Sequence, residues 1–237
     1  HRNPSSETQT MRMKPYTNFL LVLFLASFFG NGGLFGEDKK LPNDVRWMRE
    51  SKEYQNLCRQ IYRQAEEKIS QHAKQEQGNL AVVIDLDETV LDNSQYQVER
   101  LKLGLGFTQE SWSEWVNREE AGLVPGAKAF LKRARKLGLQ VVYLSNRMHA
   151  NLKPTRQNLR ALGVLDPEGL FLLRRNKEDT KEIRRSEVVS GKGRMKETGS
   201  LKVVAYLGDQ MGDFPAEVEE ALGTSVFVFP NPMYGKW

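Results

Sequence analysis

Cysteine is nearly absent from this chain: among 237 residues only Cys58 carries a thiol. No intramolecular disulfide can form, so the fold must rest on its buried core. Histidine is scarce too. His1, His72 and His149 are the full set, and neither among themselves nor with Cys58 do they have zinc-ligand spacing, which argues against a zinc centre. There is no internal repeat, heptad array, zinc finger or RNA-recognition motif. Nor does any apolar run reach the roughly 20 residues of a comfortable membrane span. The stretch Phe19 to Phe29 is apolar except for Ser27, follows Arg12 and Lys14 and precedes Gly30, Gly32 and Gly33. It reads as a secretory leader within residues 1–36, with translation starting at Met11 or Met13. Export to the periplasm, outer membrane or cell surface is expected, with an uncleaved anchor giving membrane association as the competing reading.

Charge is moderately positive, with 35 Lys and Arg against 30 Asp and Glu. The basic runs Lys132 to Lys136, Arg174-Arg175 and Lys192 to Lys196 read as solvated faces, and no nucleic-acid partner is expected. Such a field suits the attraction of phosphate monoesters. Cys58 falls on an apolar helix face with Tyr54, Leu57, Ile61, Tyr62, Ala65 and Ile69, where it serves as a small buried hydrophobe.

The most informative segment is Ala81-Val82-Val83-Ile84-Asp85-Leu86-Asp87-Glu88-Thr89, an apolar run that ends in two carboxylates two residues apart. Ionised carboxylates leaving water need partners, and a metal ion would supply one. Period two sends Asp85 and Asp87 the same way along an extended strand. At the carboxyl end of a strand in an open α/β sheet they would face the crevice where such folds bind ligands. A strand running into a polar turn is the plainer alternative.

The pattern around this segment is one of alternating helices and strands. A helix is predicted from Pro42-Asn43-Asp44 to about Lys74, then a strand near Leu80 to Leu86. Residues 93–123 break the alternation with a Trp-bearing, charge-rich stretch that reads as a small α-helical cap, packed with the N-terminal helix of segment 37–79. The catalytic core is expected over 80–92 and 124–237. It should contain a helix from Pro125 to Leu137, a strand Gln140 to Leu144, a helix Pro154 to Leu162 and a strand Leu170 to Leu173. A helix Thr180 to Val189, a strand Lys202 to Leu207, a helix Pro215 to Leu222 and a strand Ser225 to Phe229 complete it. This predicts an α/β fold, a Rossmann-like parallel sheet with helices on both faces.

The motifs Asp85-Leu86-Asp87-Glu88-Thr89, Val141 to Ser145, Lys181 and Gly208-Asp209-Gln210-Met211-Gly212-Asp213 occur in the order that the haloacid dehalogenase superfamily of phosphotransferases uses, and the chain resembles it. Lys177 lies near Lys181, but Lys181 precedes Glu182-Ile183-Arg184, a pattern similar to one subgroup. Asp85 to Ser94, Trp112 to Val116, Val124 to Ala127 and Pro230 to Gly235 resemble that subgroup, the bacterial class C acid phosphatases. The likeness runs from about Glu53 to the C-terminus. One departure is the lack of a cysteine after the leader, where members carry a lipid.

The resemblance implies an exported acid phosphatase that hydrolyses phosphate monoesters, nucleoside 5'-monophosphates among them. Asp85 would be the nucleophile and Asp87 the general acid and base. Ser145, the Asn146 N–H and Lys181 would bind the phosphoryl group. Mg2+ would be held by Asp85, Asp209 and the Asp87 carbonyl, with Asp213 in an outer position. Trp112 and Tyr234 would sandwich the base. Two rivals remain, a narrow sugar-phosphate or storage-protein-like phosphatase and a surface binding protein of little activity. Homo-oligomer formation is left open. Glu88, Asp92, Asn93 and Arg147 lie near the proposed centre without an assigned role.

Overall fold

A computed structural model describes residues 40–216 and 218–235. The expected leader, residues 1–36, lies outside the described residues. No described helix is long and apolar enough to cross a membrane.

Five parallel strands form the main sheet in the order β5-β4-β1-β6-β7. They are β1 Leu80–Ile84, β4 Gln140–Met148, β5 Leu170–Arg174, β6 Lys202–Gly208 and β7 Val226–Val228. All five residues of β1 are buried, as a central strand covered on both faces requires. Its side chains alternate between two layers. Val82 and Ile84 join the larger core with Tyr54, Tyr62 and Phe130, whereas Ala81 and Val83 pack with Val188, Met195 and Leu201. This is the parallel α/β arrangement anticipated from the pattern.

The helices are α1 Asn43–Glu50, α2 Lys52–Gln75, α3 Ser94–Lys102, α4 Gln109–Arg118, α5 Ala127–Lys136, α6 Leu152–Ala161 and α7 Lys181–Ser190. The single N-terminal helix expected from sequence is thus two. Ser51 adopts an extended backbone between them, and its hydroxyl accepts the Tyr54 N–H at 3.0 Å. Such a side-chain cap stabilises a helix start by about 1 kcal/mol. Along α2, Tyr54, Cys58, Tyr62, Ala65 and Ile69 form the buried stripe, while Leu57 stays 38% exposed.

Helix α5 starts two residues later than expected: Gly126, at φ +101°, is its N-cap, so Pro125 lies outside it. Tyr62 packs so close that a Cβ on Gly126 would sit 2.8 Å from its ring. The helix expected over Pro215 to Leu222 does not form. Among the described residues that stretch holds only a single 3-10 turn, Glu219–Ala221, with no buried residue to anchor a longer helix.

Residues 93–123 carry α3 and α4, and a feature that sequence patterning does not reveal joins this stretch to the core. Two short strands, β2 Leu91–Asp92 and β3 Gly122–Leu123, pair antiparallel at the base of the insertion. Trp112, Trp115 and Val116 form the buried face of α4. Helix α1 leans on α3, where Arg49 donates to the Ser94 hydroxyl at 3.1 Å.

Candidate active site

The chain passes from β1 to β4 and β5 on one side of the sheet, then returns to β6 and β7 on the other. The crevice beside β1 at the carboxyl ends of the strands is therefore the topological switch point. Asp85 follows β1, Asp209 follows β6, and Ser145 lies within β4. The Asp85 N–H still donates to the Leu207 carbonyl at 2.9 Å, so its backbone is fixed by the sheet ladder.

Asp85 is 6% exposed, and its Oδ1 accepts from the Lys181 ammonium at 2.7 Å. Lys181 also pairs with Asp213. Lys177, the neighbouring alternative, is exposed. The position of Lys181 at the first turn of α7 follows from Thr180, whose hydroxyl caps the helix by accepting the Ile183 N–H. Asp209 Oδ2 accepts from Asn231 at 2.8 Å and from Gln210 at 3.0 Å. Asp213 Oδ2 accepts the backbone N–H groups of Asp209 and Gln210 at 3.1 and 2.9 Å.

Carboxylate oxygens of Asp85, Asp209 and Asp213 lie within 4.8 Å of one another. Both Asp213 oxygens are engaged by N–H donors, whereas Asp85 Oδ2 and Asp209 Oδ1 accept no hydrogen bond among the described residues. Those free oxygens fit a cation shared by Asp85 and Asp209, with Asp213 bracing the loop behind it. An all-oxygen donor set suits a hard divalent ion.

Three carboxylates around one ammonium leave an excess of negative charge. Burial raises the Asp85 carboxyl well above the ordinary range; Lys181 opposes this and Asp213 adds to it. Burial and then Asp213 push Asp209 up to about 6. Burial works against the Lys181 ammonium, but the Asp85 and Asp213 carboxylates outweigh it and hold it firmly protonated.

Asp87 has a different set of partners. Beyond Ile84 the chain leaves the extended path, with Glu88 at φ +58°, and Val90 and Leu91 both donate back to the Leu86 carbonyl. Asp87 Oδ1 accepts from Asn93 Nδ2 at 3.0 Å and from Arg147 Nε at 2.9 Å, with Arg147 Nη2 in ion-pair contact at 2.8 Å. Its Oδ2 lies 3.4 Å from the Ser145 hydroxyl. The carboxylate of Asp87 is not among the three that cluster.

Ser145 is fully buried and its Oγ accepts the Arg147 N–H at 3.1 Å. Asn146 is exposed, and its Oδ1 accepts from Arg184 at 2.7 Å. Arg184, itself buried, also donates to the Ser145 and Leu172 carbonyls and so ties α7 to the end of β4. Trp112 is 8% exposed, packs edge-on against Tyr96 at 5.0 Å and has the Arg147 guanidinium 5.9 Å from its ring. Tyr234 is half-buried, and its carbonyl accepts from Gln210, the side chain that also holds Asp209.

Arg147, Asn93 and Arg184 are the residues whose place sequence reasoning left undefined. For Arg147 a signal existed: it stands two residues beyond Ser145 on one strand, hence on the same face. Asn93 before α3 reads simply as a helix start.

Gly208 offers a direct test of the loop. A Cβ there would overlap the Asp213 side chain. Gly208→Ala should therefore push Asp213 off the Asp209 and Gln210 amides, raise the divalent-cation concentration for half-maximal activity by about tenfold and cost about 1–3 kcal/mol of stability. Cation titration of the rate and denaturant unfolding check this, and wild-type values in both would refute it.

Carboxylates at the ends of the parallel strands β1 and β6, faced by Lys181 and a buried serine, define a haloacid dehalogenase-type α/β protein. A family profile described as HAD superfamily, subfamily IIIB (Acid phosphatase) matches residues 37–237, and the chain belongs to that family. It is similar to the class C acid phosphatase of Bacillus anthracis, at 31% identity and a TM-score of 0.71 over 82% of this chain and 84% of that one. A structure of the same enzyme with tungstate bound matches at 32% identity and a TM-score of 0.71, with the same coverage. Among curated proteins, the Glycine max stem 31 kDa glycoprotein is 30% identical over 158 residues, 64% of this chain. The chain spans 58% of the length of that relative.

Proposed function

We propose that this protein is a magnesium-dependent acid phosphatase that hydrolyses phosphate monoesters, nucleoside 5'-monophosphates among them, through an aspartyl-phosphate. The observation that carries the reading is the division of labour between two aspartates two residues apart. Asp85 sits with Lys181, Asp209 and Asp213, while Asp87 is held separately by Arg147 and Asn93. The tungstate-bound relative supports it, since tungstate has the tetrahedral oxyanion shape of phosphate.

In this reading the monoester enters with its phosphoryl oxygens toward Lys181, the Ser145 hydroxyl and the Asn146 N–H. Asp85 attacks phosphorus, and the ester oxygen leaves with a proton from Asp87. Asp87 then takes a proton from the water that attacks the aspartyl-phosphate, which releases phosphate and restores Asp85. Asp85, Asp209 and the Asp87 carbonyl would hold Mg2+, which when bound offsets the negative charge of the approaching phosphate. Lys181 positions the Asp85 oxygen and Asp213 positions Lys181.

Trp112 and Tyr234 flank this centre, one through Arg147 to Asp87 and the other through Gln210 to Asp209. We assign them the substrate base, with stacking worth roughly 1–3 kcal/mol per base. Trp112→Ala and Tyr234→Ala should each cut kcat/KM for nucleoside monophosphates by about tenfold or more while changing that for a small alkyl phosphate by less than about threefold. Phosphate release from a substrate panel reads this out, and unchanged relative rates would assign both rings to packing. An exported location, with residues 1–36 as its leader, remains part of this proposal, as does the cap assignment of residues 93–123.

A further inference from the structure

Asn93 is fully buried and has a partner at every polar group of its side chain and at its N–H. Its Oδ1 accepts from Trp115 Nε1 at 2.8 Å and from Arg147 Nη2 at 3.2 Å. Indole and guanidinium nitrogens can only donate, so they fix the orientation of the amide. The Asn93 oxygen must face them, and its NH2 group must face Asp87 Oδ1, 3.0 Å away. Arg147, 1% exposed, adds a second donor to that oxygen through Nε at 2.9 Å, holds Nη2 in ion-pair contact with it at 2.8 Å and anchors its third nitrogen on the Thr155 hydroxyl at 3.1 Å. Glu88 Oε1 meanwhile accepts the Asn93 N–H at 2.9 Å and holds the backbone of the residue in place.

Asp87 Oδ1 is thereby saturated by donors, and Oδ2 is left as the oxygen turned toward Ser145 and the phosphoryl side. We infer that Asn93, Arg147 and Trp115 are positioning residues that select Oδ2 as the proton-carrying oxygen of Asp87. Trp115 belongs to α4, so a helix of the insertion, not of the sheet, sets the geometry of proton delivery. The inference rests on the reading of Asp87 as general acid and extends it to three residues with no other chemical role.

Its consequence depends on the leaving group. An alkoxide with a high conjugate-acid pKa needs its proton during departure, whereas 4-nitrophenolate leaves without much help. Loss of orientation at Asp87 should therefore slow alkyl esters selectively. Trp115→Phe keeps an aromatic ring at the site and deletes the N–H donor, at the cost of the packing of the indole's second ring; Asn93→Ser removes the donor to Asp87 itself.

The experiment measures kcat/KM for a nucleoside monophosphate, for glycerol 3-phosphate and for 4-nitrophenyl phosphate in wild type and both variants, each at saturating Mg2+. In each variant the ratio of alkyl to aryl kcat/KM should fall by about 10- to 100-fold. Activity on the aryl ester doubles as the test of folding, and either variant alone carries the comparison if the other fails to fold. Equal losses on alkyl and aryl esters, or no loss on any, overturn the positioning role. A wild-type protein inactive on all three esters would instead overturn the proposed function.

Discussion

Replacing Asp85 by Asn should abolish turnover of every monoester, with a loss of about four orders of magnitude or more. The amide keeps the shape of the side chain but cannot attack phosphorus to form the acyl-phosphate, and removal of a nucleophile leaves only the rate that binding and charge provide. The variant should still fold. Lys181 keeps Asp213 as a partner, so the change does not strand a buried ammonium. Inorganic phosphate should bind as well as before or better, because one carboxylate facing the anion has gone. Phosphate-release assays and phosphate-binding titration separate the two effects. A residual rate within tenfold of wild type would remove Asp85 from the role of nucleophile.

Stripping divalent cations with a chelator should lower activity by about a thousandfold, and Mg2+ should restore it. The pH dependence follows from the carboxylates that converge beside β1. Burial and Asp213 push Asp209 up to about 6, so protons compete with the cation for the same oxygen. The Mg2+ concentration for half-maximal activity should therefore rise as pH falls through about 6. Stability has a matching sign. A carboxyl whose folded pKa is raised contributes stability to the metal-free fold below its unfolded value, and this is lost as pH rises through about 6. Mg2+ should raise the melting temperature more at pH 7 than at pH 5. Equal shifts at the two values, with activity indifferent to chelation, would separate the cluster from metal binding.

Much of the sheet was readable because each strand is an apolar run bounded by turn residues. Asp85 and Asp209 could be placed because charge at the end of such a run is anomalous. The gaps have physical causes. The break at Ser51 depends on one capping hydroxyl, which the continuous apolar period from α1 into α2 conceals. The segment from Pro215 has helix-compatible composition but turns no apolar face to the core, and tertiary packing withheld what propensity offered. Asp85 and Asp87 were expected on one extended strand; the chain turns beyond Ile84 instead, with Glu88 at positive φ, and each carboxylate has its own partners. Strand alternation could put Arg147 on the face of Ser145, but the roles of Arg147 and Asn93 escape pattern reading because they lie in contacts across 60 and 22 residues of chain, to Asp87 and Trp115.

The small ribbon of β2 and β3 has a consequence for how such proteins diversify. Because Asp92 is paired directly with Gly122, the entry and exit of the intervening segment are adjacent in space. The sheet does not register how many residues lie between these two points or how they fold. An exchange of this segment for another of different length would keep the sheet and the cluster of Asp85, Asp209 and Asp213 but remove Asn93 and Trp115, both of which lie within it. A replacement would therefore have to bring back to Asp87 both an amide donor and the indole N–H that orients it.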